Sequence, residues 1–405
     1  MADSPSPARR ARLNVECLED RTVPAFLTRP GGTINVNGVR QAAVGLSLAM
    51  GNVLPDQFAL FGFEQMEYVT GTGPGTAARV NVFGANGVNN DLQGVPLVSF
   101  DPYPGFNFTG GINVAVGDVL GDERLEIIVT PASNAPGFVT VYNAQGALQA
   151  AFLATPAAYT GGLSLAVGNV LGGIAAGGFP CGNTSRNFKQ EIIVGTATQF
   201  DFVGVYDAAG GLQRGFLAFA GARTGVNLAA GSVDTTRVAD YVVGSGEPDF
   251  NAFDEIIVGA NSVAPAVAIY GVDTGVTLRR FFFAFDPNAG RGVTVAAGST
   301  DGLLGAELYT NLLGSSRVRV YNGDTGTLFG ERQVFPPDFT GVLNMAVGYV
   351  FPSFYDPTDD DDNPPDGNFD FVNQDLLIVT GDGPAFQAPR QFRGGFFSPA
   401  LFNGP

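Results

Sequence analysis

The stretch TGGINVAVGDVLGDERLEIIV, residues 109–129, sets two apolar runs on either side of a short polar segment carrying Asp118, Asp122 and Glu126. Runs of this length, rich in Val and Ile and punctuated by glycine, read as β-strands. Three carboxylates spaced around a turn can hold a cation, serve chemistry, or simply connect two buried strands. Recurrence discriminates among these, because a structural unit repeats along a chain.

The phrase recurs six times, as VGLSLAMGNV (44–53), GGINVAVGDV (110–119), GGLSLAVGNV (161–170), TGVNLAAGSV (224–233), RGVTVAAGST (291–300) and TGVLNMAVGYV (340–350). Its marker glycines are Gly45, Gly111, Gly162, Gly225, Gly292 and Gly341, at intervals of 66, 51, 63, 67 and 49 residues, so the repeat is long and tolerates insertions. A second apolar run follows a variable polar loop: MEYVTG (66–71), EIIVT (126–130), EIIVG (191–195), EIIVG (255–259), the weaker ELYTN (307–311) and DLLIVTG (375–381). A third run (RVNVF, FVTVY, FVGVY, AVAIY, RVRVY) leads through hairpin chemistry such as DAAGG (207–211) or DTG (273–275) into an aromatic-rich fourth, as in LRRFFFAF (278–285). Four strands per unit, repeated radially, predict an all-β, six-bladed β-propeller with antiparallel blades. The 34 phenylalanines, in a chain without tryptophan, are expected to fill the layers between blades. TINVNGV (33–39) stands ahead of the first copy, and the sixth copy ends in RQFRGGFF (390–397) without an obvious fourth strand. The N-terminal strand is therefore expected to complete the last blade and latch the ring, removing an exposed edge. Residues 1–30 read as a poorly ordered tail and 31–405 as one propeller.

Composition narrows the function. The chain has 405 residues, is 45% hydrophobic and carries a formal charge of −17. That charge opposes nucleic acid, which needs a basic surface to release counterions, and anionic lipid. No apolar run approaches the ~20 residues of a spanning helix, and the basic cluster Arg9, Arg10 and Arg12 has no signal-peptide core behind it. Histidine is absent, which removes Ser-His-Asp triads, Cys-His dyads, His bases and the His-containing zinc sites. Carboxylate-only chemistry of the glycosidase kind survives. Cys17 lies in the tail and Cys181 in a loop, contexts that argue against a structural disulfide and leave the compartment unread.

VAVGDVLGDERLEIIV (114–129) and RRFFFAFDPNAGRGVTVAAGSTDG (279–302) resemble FG-GAP/VCBS-type repeats, the propeller repeats related to those of integrin α-chain heads. The likeness spans residues 33–397 and keeps the strand order. It implies extracellular adhesion, ligand binding or scaffolding, and a calcium loop of the pattern D-x-[DN]-x-D-G-x-x-[DE] between the first two strands. Asp118, Asp122 and Glu126 match the first, fifth and ninth loop positions, while Leu120 and Glu123 stand where a ligand and a turn glycine belong. The sixth copy is richer: DPTDDDDNPPDGNFDF (356–371) offers Asp362, Asp366, Asn368 and Asp370 around Gly367. Any calcium held this way would be weak, with dissociation constants of ~10⁻⁴–10⁻³ M. The fourth copy has Asp249, Asn251 and Asp254, the third (GNTSRNFKQE, 182–191) is nearly uncharged, and the first replaces the loop by the apolar PDQFALFGFEQ (55–65), either a packing element or a partner patch. The segment LNVECLEDRTVPAF (13–26) is similar to the LEDRTVPA segments that begin many exported planctomycete proteins, and implies export.

The leading expectation is a non-catalytic, extracellular or cell-surface, monomeric propeller that binds a protein or glycan, with weak calcium as its only cofactor. A carboxylate-only polysaccharide enzyme and a self-assembling surface-layer module are the alternatives.

Overall fold

The computed structural model describes residues 33–36, 39–42, 47–54, 67–84, 96–122, 124–172, 189–233, 253–298, 306–335, 337, 341–348, 375–380 and 390–392. They form an all-β propeller with five four-stranded antiparallel blades. Blade 1 comprises Ser47–Gly51, Glu67–Gly71, Val80–Gly84 and Val98–Phe100, and blade 2 Ile112–Gly117, Glu126–Pro131, Phe138–Tyr142 and Leu148–Leu153. Blade 3 comprises Leu163–Gly168, Glu191–Thr196, Phe202–Tyr206 and Leu212–Leu217, and blade 4 Val226–Gly231, Glu255–Ala260, Ala266–Gly271 and Thr277–Phe283. Blade 5 comprises Val293–Gly298, Glu307–Leu312, Arg317–Asn322 and Leu328–Gln333. The weak fifth-copy run thus forms a full strand.

The expected count of six four-stranded blades is corrected to five. The sixth copy builds a three-stranded sheet, Leu343–Gly348, Asp375–Thr380 and Arg390–Phe392, whose first strand packs between those of blades 5 and 1. Among the described residues, the N-terminal strand does not pair with that sheet. Thr33–Val36 pairs antiparallel with Val39–Ala42, Val36 opposite Val39. The reason is local: only Asn37 and Gly38 separate the two strands, and Asn-Gly is the strongest short hairpin signal, closing without the entropy of a long loop.

The continuous apolar run of each second strand follows from its place. Successive side chains of a strand point to opposite faces. In EIIV of blade 2, Ile127 and Val129 enter the cluster shared with Val69, Val80 and Val82 of blade 1. Ile128 enters the cluster with Ile192 and Val194 of blade 3. Blade 3 repeats this, passing Ile193 to the cluster with Ile256 and Val258. Both faces are dry, so alternation disappears. Each such side chain contributes roughly 1.5–3 kcal/mol.

One phenylalanine of the fourth strand in each of blades 1 to 4 packs between blades as expected, against a tyrosine of the next blade, whereas Phe281 and Phe283 are exposed and meet edge to face. Ring centroids lie 4.9 Å apart for Phe100 and Tyr142, 5.4 Å for Phe152 and Tyr206, 4.6 Å for Phe216 and Tyr270, and 5.0 Å for Phe282 and Tyr321. Each tyrosine hydroxyl also donates to a backbone carbonyl of the preceding blade: Tyr142 to Pro102, Tyr206 to Ala154 at 2.6 Å, Tyr270 to Ala218 at 2.5 Å, and Tyr321 to Ala284. Blade 1 has Phe83 at this position, opposite Tyr68 as Tyr206 stands opposite Ile192, and its upstream neighbour is the sheet with three described strands.

The marker glycine has a similar origin. Gly162 sits at φ +84°, and a Cβ there would fall 1.8 Å from the carbonyl oxygen of Ala132 in blade 2. Gly225, at φ +69°, would meet the Ala197 oxygen of blade 3 at 2.0 Å. Neighbouring blades approach so closely that no side chain fits, and only glycine adopts this backbone cheaply.

Candidate functional site

The loop joining the first two strands of blade 2 holds the carboxylates singled out in the sequence. Asp118 is 6% exposed and Glu126 2%, while Asp122 lies nearer the surface. Asp118 Oδ1 accepts the backbone N–H of Gly121 at 2.6 Å and of Asp122 at 3.2 Å. Glu126 Oε2 accepts from Val119 at 3.0 Å and Leu120 at 3.1 Å. Asp122 Oδ1 accepts from Arg124 at 3.1 Å. The three acids therefore spend oxygens on the backbone of their own turn. The turn glycine exists, but it is Gly121, at φ +78°, two positions before the one the calcium pattern predicts.

The same construction recurs with different charge. In blade 3, Asn169 Oδ1 accepts from Gly172 at 3.2 Å, and Glu191 Oε2 accepts from Val170 at 3.0 Å and Leu171 at 3.1 Å. Glu67 Oε2 in blade 1 accepts from Val53 at 2.8 Å and Leu54 at 3.2 Å. Glu255 Oε2 in blade 4 accepts from Val233 at 3.0 Å. A turn latched by a buried glutamate thus recurs in blades 1 to 4, and in blades 2 and 3 it has the form [Asp/Asn]-Val-Leu-Gly, where Asn169 serves as Asp118 does. GDVLG and GNVLG carry this signal in the sequence. It reads as a turn once the side chain is seen to need an acceptor oxygen rather than a charge.

Adjacent blades are clasped at the same end. Gln190 of blade 3 donates its N–H to the Asp118 carbonyl at 2.8 Å, and its Oε1 accepts the Asp118 N–H at 2.9 Å. Asp254 of blade 4 makes the same reciprocal pair with Asn169, at 2.9 Å and 2.8 Å. Sequence reading placed Asp254 in a polar insertion and missed this role, because its partner lies in another blade.

Burial sets the electrostatics. Desolvation pushes the Glu126 carboxyl up to about 7, against the Leu120 and Val119 N–H groups that pull it down, with the negative charges of Asp122 and Asp118 adding to the rise. Glu191 is raised for the same first reason. Asp254 rises to about 6 by burial, opposed by the Asn169 N–H and reinforced by Glu191. A carboxyl near 7 is a usual mark of a general acid. Here the glutamate recurs from blade to blade, and two backbone donors occupy it in blades 1, 2 and 3.

Among the described residues, no group of three or more His, Cys, Asp or Glu is placed to hold a metal ion. Asp118, Asp122 and Glu126 do lie in one loop, and each gives one carboxylate oxygen to the backbone of that turn. Asp362, Asp366, Asn368 and Asp370 lie outside the described residues, as do Asp249, Asn251, residues 55–65, Cys17 and Cys181. Among the described residues, no helix is long and apolar enough to cross a membrane.

No protein-family model matches the chain. No curated protein matches it either. Among solved structures, the N-terminal part of BBS1 in complex with ARL6 is 12% identical, covering 91% of this chain and 96% of that one at a TM-score of 0.44. Sqt1 of Saccharomyces cerevisiae is 9% identical, covering 90% and 86% at 0.41. The biofilm matrix protein Bap1 of V. cholerae is 16% identical at 0.39, covering 78% of this chain, which spans only 45% of that protein. At these scores the likenesses add nothing to the fold read from the sheets themselves.

Proposed function

We propose that the chain is a non-catalytic binding or scaffold propeller, working outside the cell or at its surface on a protein or glycan. The observation that carries this reading is the recurring latch: the buried carboxylates suited to acid–base work are bound to backbone N–H groups, blade after blade. An active site needs a constellation present once. The absence of histidine from the whole chain adds to this. The FG-GAP/VCBS-like phrases and the LEDRTVPA-like segment support the location, with residues 1–30 as an export-type tail before a single propeller. Calcium belongs to this reading as a weak ligand of the blade 2 loop, at Asp118, Asp122 and Glu126, and of the sixth-copy loop, at Asp362, Asp366, Asn368 and Asp370.

The test is a binding screen of the full chain against immobilised glycans and extracellular proteins, run beside polysaccharide turnover assays and melting with and without chelator. Saturable binding without turnover, retained in Glu126→Gln, is the expected result. Turnover abolished by one loop-carboxylate substitution would replace this reading by the carboxylate enzyme.

A further inference from the structure

From Ile127 to Ser185 the chain has 59 consecutive residues without a charged side chain, the longest such run in a protein of net charge −17. This run includes the last two strands of blade 2 and all but Glu126 of the second, and the outermost, Leu148–Leu153, is a sheet edge among the described residues. An edge strand presents a row of unpaired N–H and C=O groups, and proteins usually blunt it with charge, proline or brevity. The other described outer strands follow that rule. Leu212–Leu217 carries Arg214, Thr277–Phe283 carries Arg279 and Arg280, Leu328–Gln333 carries Glu331 and Arg332, and Val98–Phe100 has three residues. Leu148–Leu153 reads LQAAFL and has none of these protections.

The charge is missing position by position while the geometry is kept. Ala150 stands opposite Val141 where Arg214 stands opposite Val205 and Arg280 opposite Ile269. Asn143 Oδ1 caps its turn by accepting from Gln145 and Ala147, as Asp207 Oδ1 does from Ala209 and Gly211. The strand is also sticky. A bulge between Leu148 and Ala150 puts Leu148, Ala151 and Leu153 on one face with Phe138. Leu148 is 58% exposed, Leu153 42% and Phe138 44%. The charged turn at Asp207 of blade 3 lies on the opposite face, where Gly210 packs on Phe152, and the charge felt on this face is Asp101 of blade 1, beside the buried Tyr142.

We propose that this edge pairs with the same edge of a second copy of the chain, antiparallel about a two-fold axis at Ala151, joining two blades into one eight-stranded sheet. Three observations select a second copy as occupant. Two copies of charge −17 repel wherever their acidic surfaces meet, so a neutral edge is where they approach at least cost. An antiparallel edge is self-complementary, as an isologous interface requires. The residues at the axis, Ala150 and Ala151, are small, and the bulge sets Leu148 of one copy beside Leu153 of the partner subunit on the same face. This revises the monomer expected from the sequence, and it does not depend on which ligand the propeller binds.

The test is sedimentation equilibrium of the full chain at increasing concentration. A dimer is expected whose association tightens as NaCl rises from about 20 mM to about 300 mM, because salt screens like-charge repulsion. Ala151→Lys, which puts like charges opposite each other, should raise the dissociation constant at least about tenfold. Gly215→Lys, the matching change on the blade 3 edge, should leave it unchanged. If Ala151→Lys fails to fold, Ala151→Cys in a Cys17→Ser, Cys181→Ser background serves instead. Opposed Cα atoms about 4.5–5.5 Å apart allow a disulfide, so mild oxidation should yield a covalent dimer that Gly215→Cys does not. A monomer at every concentration, a dimer weakened equally by both lysine variants, or a neutral edge that instead captures a glycan would each overturn the proposal.

Discussion

Replacing Glu126 by Gln removes one proton-binding site from the interior of blade 2 and keeps an oxygen to accept from Val119 and Leu120. The buried carboxyl titrates at about 7 in the folded chain, raised by desolvation, against an ordinary 4.5. A raised carboxyl means that the folded state holds the proton more tightly than the unfolded state. Its contribution to stability is therefore present near pH 5 and disappears as pH climbs towards 8. Integrating between these limits gives about 2–3 kcal/mol. The wild type should thus lose about that much stability, relative to Glu126→Gln, between pH 5 and pH 8. Urea melts of both proteins across the range, with linear extrapolation, read the difference directly and cancel all other titrating groups. A difference that stays constant within about 0.5 kcal/mol would show that the carboxyl is not desolvated as the latch requires. The reasoning would then fail. A wild type that gains stability relative to Glu126→Gln as pH rises would reverse the sign, meaning that the two amides hold the anion more firmly than burial expels it.

Further outcomes follow from the same contacts. Asp118→Asn should leave stability within about 0.5 kcal/mol, because Asn169 fills that place in blade 3, whereas Asp118→Ala should cost about 1–2 kcal/mol in urea melts. A loss on Asn substitution, with wild-type stability rising on added calcium, would show instead that the loop holds the ion. Tyr206→Phe strands the buried Ala154 carbonyl and should cost about 1–2 kcal/mol, while Phe83→Tyr, beside the three-stranded sheet, should gain nothing on the same assay. Gly162→Ala meets both a left-handed backbone and the Ala132 oxygen, so soluble expression should collapse. A stable variant there would contradict the close approach of blades 2 and 3.

Six phrases with a common order of runs were enough to read an all-β propeller, since each glycine, each EIIV and each hairpin turn is a local answer to a recurring environment. The phenylalanine layers were legible for the same reason. Blade number and closure were not. Asn37-Gly38 favours a hairpin at short range, and nothing local reveals that the sixth copy contributes three strands among the described residues. The candidate site was half legible. Asp118, Asp122 and Glu126 do share one loop, but whether their oxygens face an ion or their own backbone depends on three-dimensional placement. Asp254 and Gln190 were unreadable, because their partners Asn169 and Asp118 sit 85 and 72 residues away in another blade. Sequence alone determined the strands, because strand and turn preferences act over a few residues. Tertiary structure decided which backbone groups the acids accept from and which described strand forms a charge-free edge, because burial and pairing depend on neighbours that the chain supplies from afar.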